Sequence, residues 1–386
     1  MRKLLKYLTL LIYSAIIMIP YLTKNHIYNN IIGYNEPRSD FRDYTALIGT
    51  WANGETIINT LYPARIIVGY PMMLINKFSG INMDILYITF YFLGLVATGI
   101  AIFFIVSNIC NEKAGWLALL ISIFCTTGIL AMFSYGMIMS ILNVYVFLLT
   151  AILLAIKWLV NNKKRYLVLS LITFGIFSLF HLTSLYLPYL IGTIMLVVAI
   201  VWLVKRVNVT RPIILLLVVM GLNLIISHYS FPQGTDLNKM ILTNITVVTS
   251  EVVTNGATPI ENIIHVSHSP LGITFFIFNY LSVATIGLAT LAIIGLIKYR
   301  KSISLGKETK LFLIVLASLA LILGIGTFSP LAPEPIRAAT DFATVLAITI
   351  AIGLTLVLKR SPMWYKGIAF MVLALGITNN LTTWIR

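Results

Sequence analysis

The sequence predicts an all-α integral membrane protein, a single polytopic domain over residues 1–386. Three observations carry this. Hydrophobic residues make up 59% and charged residues 10%, where a soluble domain carries about 25% charged. Apolar runs near the length needed to cross a bilayer recur along the chain, leaving room for about eleven helices of ~20 residues. Basic side chains collect in the short loops of one face, so the formal charge of +15 reads as topology and not as nucleic-acid binding.

The first expected span is 4–22, preceded by Arg2, Lys3 and Lys6. It resembles a signal peptide, but Met18-Ile19-Pro20-Tyr21 offers no small-residue cleavage pattern, so an uncleaved span is expected. The further spans are 84–107, 114–133, 137–160, 166–183, 185–204, 212–229, 271–297, 310–328, 339–358 and 364–382. With the N-terminus in the cytoplasm, 19 of the 27 basic residues fall inside, and ten of the twelve acids outside. Acids contribute little to orientation, so topology does not account for their side. Cys110 and Cys125 offer neither a disulfide framework nor metal-ligand spacing and read as packing residues.

Two outside loops are long, 23–83 and 230–270, and loops of that length are usually functional or disordered. The first predicts a helix from Asp40 to Asn53. After Tyr62 comes an apolar stretch to Phe78, interrupted by Arg65, Pro71 and Lys77. It is too short to span and predicts an interfacial or re-entrant helix. The second loop, with Pro232, Gly234, Gly256 and Pro259, reads as irregular.

Ser39-Asp40-Phe41-Arg42-Asp43-Tyr44 concentrates the chemistry. Asp40 and Asp43, three apart, share a helix face. They could bind one divalent cation or one sugar, or act as a base beside a substrate-orienting acid. Equally, Asp40 serves as an N-cap with Asp43 completing a capping box. Arg337 follows the proline-rich turn that contains Glu334. An arginine at a helix start can clamp a phosphate, or it can snorkel to headgroups or pair with Asp341 one turn on. His181 ends a span, where a lone histidine is more often structural. His265 and His268 have no third ligand at a diagnostic spacing.

The run from Asp43-Tyr44 through Trp51-Ala52-Asn53-Gly54-Glu55, Tyr62-Pro63 and Gly69-Tyr70-Pro71 to Lys77-Phe78-Ser79-Gly80 resembles the first extracytoplasmic loop of GT-C glycosyltransferases. The resemblance implies a multi-span enzyme that takes a sugar from a polyprenyl-phosphate carrier at the outer face of the membrane. It implies that Asp43, with Asp40 as partner, deprotonates or orients the acceptor, aided by a divalent cation (Mg or Mn), and that Arg337 meets the donor phosphate. Arg42, Tyr44, Tyr62, Arg65, His181, Glu334 and Asp341 would line the substrate cavity. The partners implied are the lipid-linked donor, membrane lipids and an acceptor that is a glycan, lipid or protein, in a prokaryotic plasma membrane. A long soluble C-terminal domain, as in oligosaccharyltransferase catalytic subunits, is not expected.

Two rival readings remain from the sequence, a secondary transporter and a flippase or polymerase for lipid-linked saccharides. Ion-coupled transporters keep ionisable residues near the midplane, whereas the expected spans hold none near their centres. A flippase should line its interior with cations, which these spans lack.

Overall fold

The structure is a computed structural model that describes residues 63–125, 142–180, 187–205, 209–230, 282–328 and 335–385. The described residues form helices and no strands. In chain order they are α1 (Pro63–Ser79), α2 (Met83–Ile109), α3 (Glu112–Leu120), α4 (Leu149–Asn161), α5 (Lys164–Phe180), α6 (Leu187–Lys205), α7 (Thr210–Ser230), α8 (Ser282–Tyr299), α9 (Lys307–Phe328), α10 (Pro335–Leu358) and α11 (Met363–Ile385). Helix α3 runs into a π-helical segment, Ile121–Cys125, and a second π segment, Leu142–Leu148, leads into α4.

From 84 onward, each expected span falls on, or runs into, a described helix. The span 4–22, the helix Asp40–Asn53 and, past Ser230, the loop 230–270 lie outside the described residues. Among the described residues, four segments are long and apolar enough to cross a membrane: Ile85–Ile109, Leu142–Asn161, Ser282–Tyr299 and Asp341–Leu358. The last is 67% buried, against 28% for α8. Helix α10 is therefore the central helix, packed against α2, α3, α8 and α9. Ala343, Ala347 and Ala351, all fully buried, recur every fourth residue along it. These small side chains let neighbouring backbones approach closely, as apolar helices in hydrocarbon require.

Polar side chains stitch the apolar interior. Ser170 Oγ donates to the Ala151 carbonyl at 2.9 Å, joining α5 to α4. Asn223 Nδ2 donates to Ser178 Oγ at 2.8 Å, joining α7 to α5. Left unpaired in hydrocarbon, such groups would cost several kcal/mol, of order 4–8 in an alkane reference. Gly376 lets α11 press onto its neighbours: a Cβ there would stand 2.6 Å from Ala284 Cβ and 3.0 Å from Cys125 Sγ.

One end of the bundle is basic. Lys157 Nζ donates to Asn108 Oδ1 at 2.9 Å, Asn161 Nδ2 to Glu308 Oε1 at 3.0 Å, and Arg211 Nη1 to Asn162 Oδ1 at 3.1 Å. Thr309 Oγ1 donates to the Ile109 carbonyl at 2.7 Å. These contacts gather the ends of α2 and α4 and the starts of α7 and α9. Burial pushes the Cys110 thiol up, and Lys359 pulls it back, so the end of α10 belongs to the same face. Asn162 closes α4 in the left-handed region (φ 55°), a conformation asparagine tolerates better than most residues. The segments at the ends of α2, α4 and α10 and at the starts of α7 and α9 thus meet in space.

Helix α1 precedes the start of α2 at the opposite end. Val68, Met72 and Met73 are buried, while Tyr70, Ile75 and Phe78 are exposed. An apolar face packed on α2 and α5, with a second apolar set left uncovered, suits a helix at the membrane boundary. It ends where Gly80 takes a φ of 68° and donates its N–H to the Asn76 carbonyl at 2.8 Å, the left-handed stop that glycine adopts without strain.

Candidate functional site

The polar chemistry opposite the basic end is buried. Helix α10 opens with Pro335, whose fixed φ and missing N–H suit a first helical position. Arg337 therefore lies in the first turn of α10, where unsatisfied backbone N–H groups already favour an anion. One turn further in, Asp341 is 1% exposed.

Tyr145 Oη donates to Asp341 Oδ1 at 2.7 Å, with the Thr344 hydroxyl as a second partner of the phenol. Tyr145 and Thr344 are both fully buried. At ~1.5 Å per residue, Tyr145 stands about 25 Å from the basic end of α4, and Asp341 about 25 Å from the basic end of α10. The two depths agree, and they put the pair near the far boundary of a hydrocarbon core about 30 Å thick.

A second buried set sits at the same end. The Cys125 carbonyl, last in the first π segment, accepts from Ser282 Oγ and from Thr285 Oγ1, each at 2.6 Å. A π turn cannot satisfy its carbonyls in the α pattern, and hydroxyls from α8 take one of them. Tyr145 itself lies in the other π segment, where the expected continuous helix over 137–160 is wound more loosely. Such π turns are frequent at functional sites. Asn143, two residues before Tyr145, and Ser122 are also fully buried.

Of the residues singled out from sequence, Asp40, Asp43, Arg42, Tyr44, Tyr62, His181 and Glu334 lie outside the described residues. Arg65 falls in the first turn of α1 and Arg337 in that of α10. Asp341 is the one whose side-chain surroundings are described. Its carboxylate faces the bundle interior and takes its hydrogen bond from a helix 196 positions earlier in the chain. Sequence reasoning missed Tyr145, one of 19 tyrosines and embedded in an apolar run.

The chain matches no family model and no curated protein sequence. The solved structures that share its fold include two oligosaccharyltransferases. An oligosaccharyltransferase from Archaeoglobus fulgidus, AglB, in complex with an inhibitory peptide and a dolichol-phosphate, aligns over 99% of this chain and 56% of its own, with TM-score 0.60 and 14% identity. An Archaeoglobus fulgidus oligosaccharyltransferase tethered to an acceptor peptide aligns over 98% of this chain and 54% of its own, with TM-score 0.53 and 14% identity.

The chain shares the helical fold of these oligosaccharyltransferases. The chain spans about half the length of these neighbours, and at this identity the likeness carries the architecture alone. A fold shared with oligosaccharyltransferases agrees with the all-α membrane architecture expected from the sequence; of the stretch 43–80, residues 43–62 lie outside the described residues.

Proposed function

We propose that this chain is a membrane glycosyltransferase that moves a sugar from a polyprenyl-phosphate carrier to an acceptor hydroxyl at the extracytoplasmic face. The observation that carries the reading is the buried Tyr145–Asp341 pair, one turn beyond Arg337 on the central helix of a GT-C-type bundle. It sits at the end opposite the basic loops, and basic loops mark the cytoplasm.

The reaction is written as a displacement at the sugar's anomeric carbon. Asp43, or Asp40, accepts the proton of the acceptor hydroxyl while that oxygen bonds to the anomeric carbon. The bond from that carbon to the phosphate oxygen breaks, and the carrier leaves as a phosphate whose charge Arg337 and the first turn of α10 stabilise. Asp341 lies four residues after Arg337, on the same helix face. Tyr145 holds the Asp341 carboxyl group one turn further along the helix from Arg337. A divalent cation, where one is bound, would be held by Asp40 and Asp43. No step is derived through one.

The test is release of sugar from a polyprenyl-phosphate donor by purified protein in lipid nanodiscs. Asp43→Asn and Arg337→Ala should each lose turnover while the protein stays folded. Undiminished turnover in both variants would remove the assignment.

A further inference from the structure

A slot of about 300 Å³ opens between α4, α5, α6, α7 and α9. Its walls are hydrocarbon throughout, among them Ala155, Leu159, Phe174, Leu215 and Leu311. Its wall covers about 10 Å of α4, from Ile152 to Leu159, and about 16 Å of α6, from Leu187 to Val198. Pro212 and Leu311, also in its wall, stand two to four residues inside the starts of α7 and α9. The slot therefore reaches the basic end of the bundle.

The rim is cationic. Arg211 is exposed and immediately precedes Pro212; its guanidinium donates to Asn162 in the α4–α5 turn. Lys163 and Lys164 follow in that turn, and Lys310 stands next to Leu311, all exposed. Glu308, the acid nearest in the chain, accepts from Asn161. A dry hydrocarbon slot under a rim of cations is complementary to one kind of molecule, an apolar chain carrying an anionic head. Basic sites between membrane helices on the cytoplasmic side hold anionic lipid heads for this reason.

We propose that the slot is a binding site for an anionic phospholipid of the leaflet at the basic end. One acyl chain lies along Ala155, Phe174 and Leu215, and the phosphate meets Arg211 and Lys310. The slot shares no lining residue with the donor site proposed above, and the proposal does not depend on that reading.

The full chain would be delipidated in detergent and titrated with dioleoyl-phosphatidylglycerol or dioleoyl-phosphatidylcholine, with bound lipid counted by native mass spectrometry. The expected result is at least tenfold tighter binding of the glycerol lipid. In Arg211→Gln/Lys310→Gln, whose side chains are exposed, that preference should vanish. Ala155→Phe, which fills the slot, should lower occupancy by both lipids. Equal affinity for the two lipids, or a preference untouched by the rim double variant, overturns the proposal. So does displacement of the bound phosphatidylglycerol by equimolar polyprenyl phosphate, which would make the slot part of a carrier site.

Discussion

The two ends of this bundle hold their polar groups in opposite ways. At the basic end Lys157, Asn161 and Arg211 make hydrogen bonds in water's reach, where exposed pairs contribute only about 0–1 kcal/mol. At the other end Tyr145, Asp341, Ser282 and Thr285 are buried and bonded at 2.6–2.7 Å. A hydrogen bond to a charged group there is worth roughly 1.5–3 kcal/mol, and an orphaned partner costs more. Charge counting explains the first end and says nothing about the second.

The largest effects should follow from removing the chemistry of the far end. Asp43→Asn should reduce sugar transfer by about 10²–10⁴-fold, the usual contribution of a general base, with thermal stability unchanged. Full activity in this variant would take the base away from the first loop. Arg337→Ala should cost about 10²–10³-fold, the scale of one charge-stabilising donor. Added guanidinium should recover part of the loss if the arginine meets phosphate and not merely headgroups.

A matched pair of tyrosines sharpens the contrast. Tyr145→Phe removes one buried hydrogen bond to Asp341, so stability should fall by about 1–3 kcal/mol. Turnover should fall by roughly one to two orders of magnitude if Asp341 positions Arg337, because a misplacement of about 1 Å can cost 10²-fold. At the basic end, Tyr365 Oη donates to the Leu291 carbonyl, and Tyr365→Phe should leave turnover within about twofold, losing ~1 kcal/mol of stability. Equal losses of turnover in the two variants would erase the distinction between the ends.

What the sequence made legible follows the same division. Helices longer than two turns announce themselves by apolar length, so the described ones from Met83 onward sit where hydropathy puts them. The basic loops obey a counting rule, and their gathering in space is its consequence. The π segments are invisible to hydropathy, because a turn wound with one extra residue keeps the same composition. The partner of Asp341 is hidden for a different reason. Asp341 stands out as one of 12 acids, but its bond reaches back 196 residues, and nothing local marks Tyr145 among apolar neighbours. Arg337 was legible because a proline-rich turn leads into an apolar run, which is a helix-start signal.

Packing gives a smaller test that is independent of chemistry. Gly376→Val would drive a side chain into Ala284 and Cys125, both on the elements that carry the second buried polar set. Overpacking of this kind costs about 1–3 kcal/mol. Because Ser282 and Thr285 hold the Cys125 carbonyl from the same helix as Ala284, part of that cost should appear as faster exchange of the amides near Cys125. Gly367→Val, on the same helix where nothing stands within 4 Å of an added Cβ, is the matched control and should cost less.

The smallest effect is the one that most directly measures the asymmetry. Lys157→Gln keeps the aliphatic stem and a hydrogen-bonding end, and changes only a contact with Asn108 that water can replace. Stability should stay within about 0.5 kcal/mol, and turnover should not move. The basic end is redundant by construction: orientation depends on the summed bias of Lys and Arg across its loops, so removing one of 27 basic residues leaves the sum nearly intact. A loss above 2 kcal/mol in Lys157→Gln would mean that this contact is buried and specific like the Tyr145–Asp341 bond. The two ends would then differ in charge alone.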